Sequence, residues 1–283
     1  IVDELPYQVN KRVLLDFMVP TRGLISAIAG DEETTMATSK ELATKFRELT
    51  DAEFALNGDG GGGTLDDATG KPRFYAVQGA EKSYASFALT ARNPGGHSSQ
   101  PRPDNAIYDL ADALKALQGY SFPVMWNDWT LGSFKASAPV TPGELGEAMA
   151  QFAAHPGDAG AAAILAKTPA MIGRTRTTCV ATLLTGGHAD NALPQSATAT
   201  VNCRIFPGTS VAEVRDSLQQ VVGDRIEVQV LGEPHSSPPS PLRGDVLEAV
   251  TKAVRASHPG VPIVPDMAPY ATDGSIFRGA GIP

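Results

Sequence analysis

Cysteine is nearly absent from this 283-residue sequence, with only Cys179 and Cys203 present. Two cysteines that far apart make neither a CxxC metal site nor a disulfide framework, and they are expected to be small core residues. No apolar stretch approaches the roughly 20 residues needed to cross a bilayer. Runs of Lys or Arg are missing too, and the formal net charge is −8. That balance argues against nucleic acid or an anionic membrane as the main partner, because both would be repelled. The first residues, Ile1-Val2-Asp3-Glu4, are neither a methionine start nor a signal peptide, so the N-terminus is expected to lie further upstream and no compartment is assigned. What is present is a globular composition, 42% apolar and 19% charged, long enough for one large domain or two ordinary ones.

Periodicity divides the chain. Leu24 to Ala29 is a short apolar run stopped by Gly30, which predicts a buried strand whose C-terminal end carries Asp31-Glu32-Glu33. A helix is expected over about Ser39 to Leu49, then a strand at Phe54 to Asn57 and a loop at the glycine run Gly60 to Gly63. From Ser83 the pattern alternates, with Tyr84, Ser86, Ala88 and Thr90 on one face and Ala85, Phe87, Leu89 and Ala91 on the other. A helix over about Asn105 to Leu117 with Asp104 as N-cap follows. Strands at Thr177 to Leu184 and Ala197 to Ile205, a helix at Val211 to Val222 and a strand at Ile226 to Leu231 complete a βαββαβ order, the ferredoxin-like split unit. An Ala- and Pro-rich helical insertion, about residues 120–175, interrupts it. The domain reading is therefore 1–81 as the first part of an α/β domain, 82–233 as a smaller α+β domain with that insertion, and 234–283 as the second part of the α/β domain.

Several residues could carry chemistry. Glu32 and Glu33 at a strand end would repel each other in a dry site, and a dication keeps both ionised there. One could ligate metal while the other takes a proton from a metal-bound water; alternatively both belong to a solvated, acidic helix start. His97 follows paired glycines in Gly95-Gly96-His97-Ser98-Ser99, where the backbone can turn and present the ring. Arg204 falls among small or apolar residues of an alternating strand, so it is either an edge decoration or a fork for a carboxylate.

Together, Gly30-Asp31-Glu32-Glu33, Gly95-Gly96-His97-Ser98-Ser99-Gln100-Pro101 with Asn105-Ala106-Ile107, Asp190-Asn191-Ala192-Leu193-Pro194 leading to Arg204, and Thr272-Asp273-Gly274 stand in one order. In these motifs the sequence resembles the dizinc exopeptidases and deacylases that include aminoacylase, carboxypeptidase G, yeast carboxypeptidase S and succinyl-diaminopimelate desuccinylase. The resemblance implies a zinc-exopeptidase-like α/β catalytic domain interrupted by a ferredoxin-like dimerisation domain. It also implies Glu32 as general base, Glu33 and Glu53 as zinc ligands, Asn191 and Arg204 as substrate-binding residues, and His97 reaching into the active site of a partner subunit to steady the oxyanion. Asp51 and Asp59 lie close enough to Glu53 to compete for its ligand role.

The implied activity is hydrolysis of an amide bond next to a free carboxylate, in a peptide or an N-acyl amino acid, by a homodimer holding two zinc ions per site. The family's first histidine ligand and bridging aspartate precede the strand bearing Glu32, and its last histidine follows the Thr-Asp-Gly segment. Nothing in this sequence matches them. The expectation is a chain truncated at both ends, with an incomplete metal site and inactive by itself. The competing reading is a catalytically silent dimerisation or binding module.

Overall fold

A computed structural model describes residues 25–32 and 34–283. They form two compact units, one from the described residues up to Asn57 together with Thr272–Pro283, the other from Gly58 to Ala271. In chain order the helices are α1 (Ala37–Ala43), α2 (Arg47–Thr50), α3 (Ala106–Gly119), α4 (Asp128–Ser137), α5 (Gly143–Ala154), α6 (Ala159–Leu165), α7 (Pro169–Thr175), α8 (Val211–Val222), α9 (Gly244–Ser257) and α10 (Gly274–Gly279). The strands are β1 (Gly62–Leu65), β2 (Pro72–Glu81), β3 (Ser83–Arg92), β4 (Gly96–His97), β5 (Thr178–Gly186), β6 (Ala192–Leu193), β7 (Ser196–Ile205), β8 (Ile226–His235) and β9 (Ile263–Ala268).

In the first unit, α1 starts where the Asp31 carboxylate accepts the amides of Ala37 at 2.7 Å and Thr38 at 3.2 Å and the hydroxyl of Thr35 at 2.6 Å. These bonds satisfy donors that a helix start leaves open. The Thr35 hydroxyl, first among them, pulls the Asp31 carboxyl down to about 2. The strand expected at Leu24 to Ala29 is not formed over Ile25–Ala29. Phe54–Asn57 is not a strand either, since the amide of Ala55 is taken by the carbonyl of Pro283 at 2.8 Å instead of by a ladder.

The second unit contains the four-stranded antiparallel sheet β5-β7-β3-β8, with α3 and α8 on one face, in the βαββαβ order expected from the alternation. Every second residue of β3 and β7 points at those helices, so Ala85, Phe87, Leu89, Ala199, Val201 and Ile205 lose all exposure, covered by Leu110, Ala113, Val214 and Leu218. Truncating one such side chain, as in Leu110→Ala, costs about 2–5 kcal/mol. The N-cap of α3 is Asn105, whose side chain accepts from Ile107 at 2.9 Å, one residue later than the sequence suggested. Asp104 is instead gripped by Arg102 and Asn93. Helix α8 carries the Ser210–Glu213 capping box, which fixes its start.

Between α3 and β5 lies the helical insertion, α4 to α7, with its own core around Phe134, Met149, Phe152 and Leu165. A three-stranded sheet, β1-β2-β9, completes the unit, β2 and β9 being parallel. Trp129 of α4 lies on Gly79 of β2, where an added Cβ would meet the indole at 1.9 Å, and donates to the carbonyl of Ser240 at 2.8 Å. Strand β2 is invisible to a simple alternation test because its register to β9 shifts between Gln78 and Ala80.

Cys179 and Cys203 are not independent core residues. The register sets them opposite each other on β5 and β7, with Cα atoms 4.1 Å apart, and they form a disulfide. Their 24-residue separation in sequence carried no sign of that, because two hydrogen-bonded strands can bring any such pair face to face.

Candidate active site

The expected site residues of the second unit fall at opposite ends of the four-stranded sheet. Arg204 sits near the end of β7, opposite Tyr84 of β3 on one side and Thr178 of β5 on the other. Its half-buried guanidinium stacks on the Tyr84 ring at 4.8 Å, and among the described residues no carboxylate pairs with it. This is the face of the sheet turned away from α3 and α8. Lys82, the single residue between β2 and β3, shares this end. Its side chain is completely buried, and its ammonium nitrogen donates to the Thr178 hydroxyl at 3.1 Å. Burial, and then the charge of Arg204, push the amine down to about 7. Lys82 was not among the expected site residues, although extending the alternation of β3 back by two positions places it on the Tyr84 face.

His97 and Asn191 lie past the other end. After β3, Gly95 adopts a φ of 80°, and a Cβ there would press on Gln195 at 2.8 Å, which explains the glycine. The chain then forms β4, with His97 opposite Ala192 of β6, and the amide of Ser98 donates to the carbonyl of Asn191 at 2.9 Å. Both residues are exposed. Nδ1 of His97 accepts the amide of Ser99 at 3.2 Å and meets its hydroxyl at 2.8 Å. With Nδ1 accepting, Nε2 is the ring nitrogen left to act as a donor. The supporting loop is tied by Asp104, whose carboxyl is held down at about 2, first by the Arg102 guanidinium. From the level of Tyr84 to that of Arg92 the strand rises about 27 Å, and β4 and β6 lie past the Arg92–Ser196 pair that ends the β3–β7 ladder.

In the first unit, Glu32 is half-buried and Glu53 exposed, while Glu33 lies outside the described residues. Asp273 accepts from Ser39 at 3.0 Å and Asn57 at 2.8 Å. Among the described residues no group of three or more His, Cys, Asp or Glu could hold a metal ion. Glu53 supplies a hard oxygen donor of the right kind for zinc, but a zinc site takes three or four protein ligands, so the described residues alone do not complete one.

Residues 79–228 match the peptidase dimerisation domain of the M20 family. The fold and this match define the class: the chain belongs to the M20 family of metal-dependent aminoacylases and carboxypeptidases, a family of amide hydrolases. It is 24% identical over 286 residues to human N-fatty-acyl-amino acid synthase/hydrolase PM20D1, covering 95% of this chain and 54% of that protein. It is 26% identical over 199 residues to the "Probable carboxypeptidase S-like 2" of Dictyostelium discoideum, covering 68% of this chain and 37% of that protein. The chain thus spans about half the length, or less, of these relatives. Among solved structures, the M20 metallo-carboxypeptidase Sso-CP2 of Sulfolobus solfataricus superposes with a TM-score of 0.54 at 15% identity, over 86% of this chain and 65% of that one. A tripeptidase of Staphylococcus aureus gives 0.52 at 17%, over 89% and 52%. At these identities the two structures establish the fold. Among the described residues no helix is long and apolar enough to cross a membrane.

Proposed function

We propose that the complete protein hydrolyses an amide bond next to a free carboxylate, with Arg204 as the fork that grips that carboxylate. The observation that carries this reading is the Arg204 guanidinium itself, half-buried, braced on Tyr84 and without an acidic partner among the described residues. A planar cation held ready in this way suits bidentate binding of a carboxylate. The names of the relatives favour an N-acyl amino acid over a longer peptide as substrate. A bound zinc pair, held by Glu33 and Glu53 with ligands beyond the described residues, would supply a water acidic enough to ionise near neutral pH. Glu32 would be the general base of the site, the carboxylate placed to take a proton from the attacking water and to return one to the leaving amine. Nε2–H of His97 donates to the oxyanion, and Asn191, held beside it by the Ser98 bond, orients the substrate.

The separation of about 27 Å along the sheet supports a homodimer, because His97 and Arg204 of one chain stand at opposite ends and a site using both must draw one from a partner subunit. Edge strand β5 exposes Val180, Leu183 and Leu184, and α3 exposes Ile107 and Tyr108 beside it. An apolar groove of about 150 Å³ runs between the two elements, lined by Ile107, Leu114 and Leu184. An unpaired apolar edge of this kind is a natural pairing surface. In the full-length protein, Glu32→Gln should reduce turnover by at least about 10³-fold while zinc content, measured by atomic emission, stays unchanged. Retained turnover would refute the assignment of Glu32. Absence of zinc from the wild-type full-length protein would instead support the silent dimerisation module.

A further inference from the structure

We propose that Lys82 is the second cation of the Arg204 subsite, its ammonium closing with the Arg204 guanidinium on the free carboxylate of the substrate. The inference rests on the reading of Arg204 as the carboxylate grip and adds to it a residue that the motifs do not mark.

Three features of the fold carry it. Lys82 is among the largest fully buried side chains of the described residues, yet among those residues its amine bonds the Thr178 hydroxyl and pairs with no carboxylate. The charge of Arg204, which lies opposite Thr178 on the neighbouring strand, adds to burial in pushing the amine down. The register puts Thr178, Arg204 and Tyr84 side by side on three adjacent strands, so an amine bonded to Thr178 stands at the guanidinium's own row. A lysine held only for packing could be replaced by a neutral chain of the same length at lower cost, because an unpaired buried ammonium is expensive. Two basic groups beside Thr178, with no carboxylate paired to either among the described residues, would be balanced by an anion bound next to them. Burial leaves the empty amine partly neutral near pH 7. A carboxylate entering beside it draws a proton from solvent onto Nζ, so that the bound state holds an ammonium and a guanidinium against one anion.

The test uses the full-length, metal-loaded protein carrying Glu32→Gln, so that ligand is bound but not turned over. Isothermal titration calorimetry compares N-acetyl-L-phenylalanine with its carboxamide. Adding Lys82→Met should weaken the acid about 10- to 100-fold and leave the carboxamide unchanged, and Lys82→Arg should recover most of the loss. Equal weakening of acid and carboxamide by Lys82→Met would mark a purely structural role and overturn the proposal. Arg204→Met, run in parallel, separates this proposal from the reading beneath it. If Arg204→Met weakens the acid and Lys82→Met does not, Lys82 is excluded and the Arg204 grip stands. If neither weakens it, the carboxylate grip itself is wrong and Lys82 falls with it. Should circular dichroism show Lys82→Met unfolded, Lys82→Gln, which keeps a donor toward Thr178, carries the same comparison.

Discussion

At one end of the four-stranded sheet, the buried Lys82 amine and the half-buried Arg204 guanidinium lie beside Thr178, and among the described residues neither pairs with a carboxylate. At the other end, His97 and Asn191 are exposed, joined through the Ser98–Asn191 backbone bond, and Nδ1 of the imidazole accepts from Ser99. On the proposed reading the first end takes an anion and the second offers one hydrogen bond to the reacting carbonyl. A ladder of ten paired residues keeps these two ends of one chain apart, so the proposed site, which uses both, assigns one end to each subunit.

The contrast can be pressed by substitution. His97→Ala should lower kcat about 10²–10³-fold with KM little changed, as expected for a donor used mainly in the transition state. Arg204→Met should act mainly through KM, raising it about 10- to 100-fold for an N-acyl amino acid and hardly at all for its carboxamide. Steady-state kinetics on both substrates checks the pair, and a shared pattern for the two variants would erase the distinction between the ends.

A smaller effect separates the ends by stability. The amine of Lys82 is lowered from 10.5 unfolded to about 7 folded. Between those values the unfolded chain binds the extra proton, so stability from this group rises with pH across that window and the full penalty applies below pH 7. Lys82→Met should therefore raise stability at pH 6 by about 1–4 kcal/mol and flatten the rise between pH 7 and 10 in urea titrations. An unchanged pH profile would mean that the buried amine is not strained. His97→Ala, at the exposed end, should leave that profile as it is.

Much of the smaller domain was legible in the sequence because its chemistry is local. The alternation from Ser83, the Ser210–Glu213 box and the helical spacing of Leu110, Leu114 and Leu117 each specify an element without help from distant residues. What failed was what depends on partners far along the chain. The run ending at Ala29 reads as a strand, but no ladder takes up its described residues; β2 was hidden by its bulge; and the Cys179–Cys203 bond depends on a register that no spacing rule supplies. The same holds for the site. His97, Asn191 and Arg204 were proposed as site residues through motifs, whereas Lys82 was passed over because a single lysine next to a strand looks like an ordinary solvated residue until its burial is seen.

The most direct test of the shared site mixes two crippled full-length proteins, His97→Ala and Arg204→Met, after brief dissociation and reassociation. A heterodimer then contains one site with both residues intact and one with neither. Assayed with substrate well below the wild-type KM, random pairing should return about a quarter of the wild-type activity, whereas each variant alone keeps about a tenth or less. If the mixture stays as inactive as its components while light scattering shows that dimers have exchanged, His97 and Arg204 do not meet across a subunit boundary, and the two-ended account of the sheet is wrong.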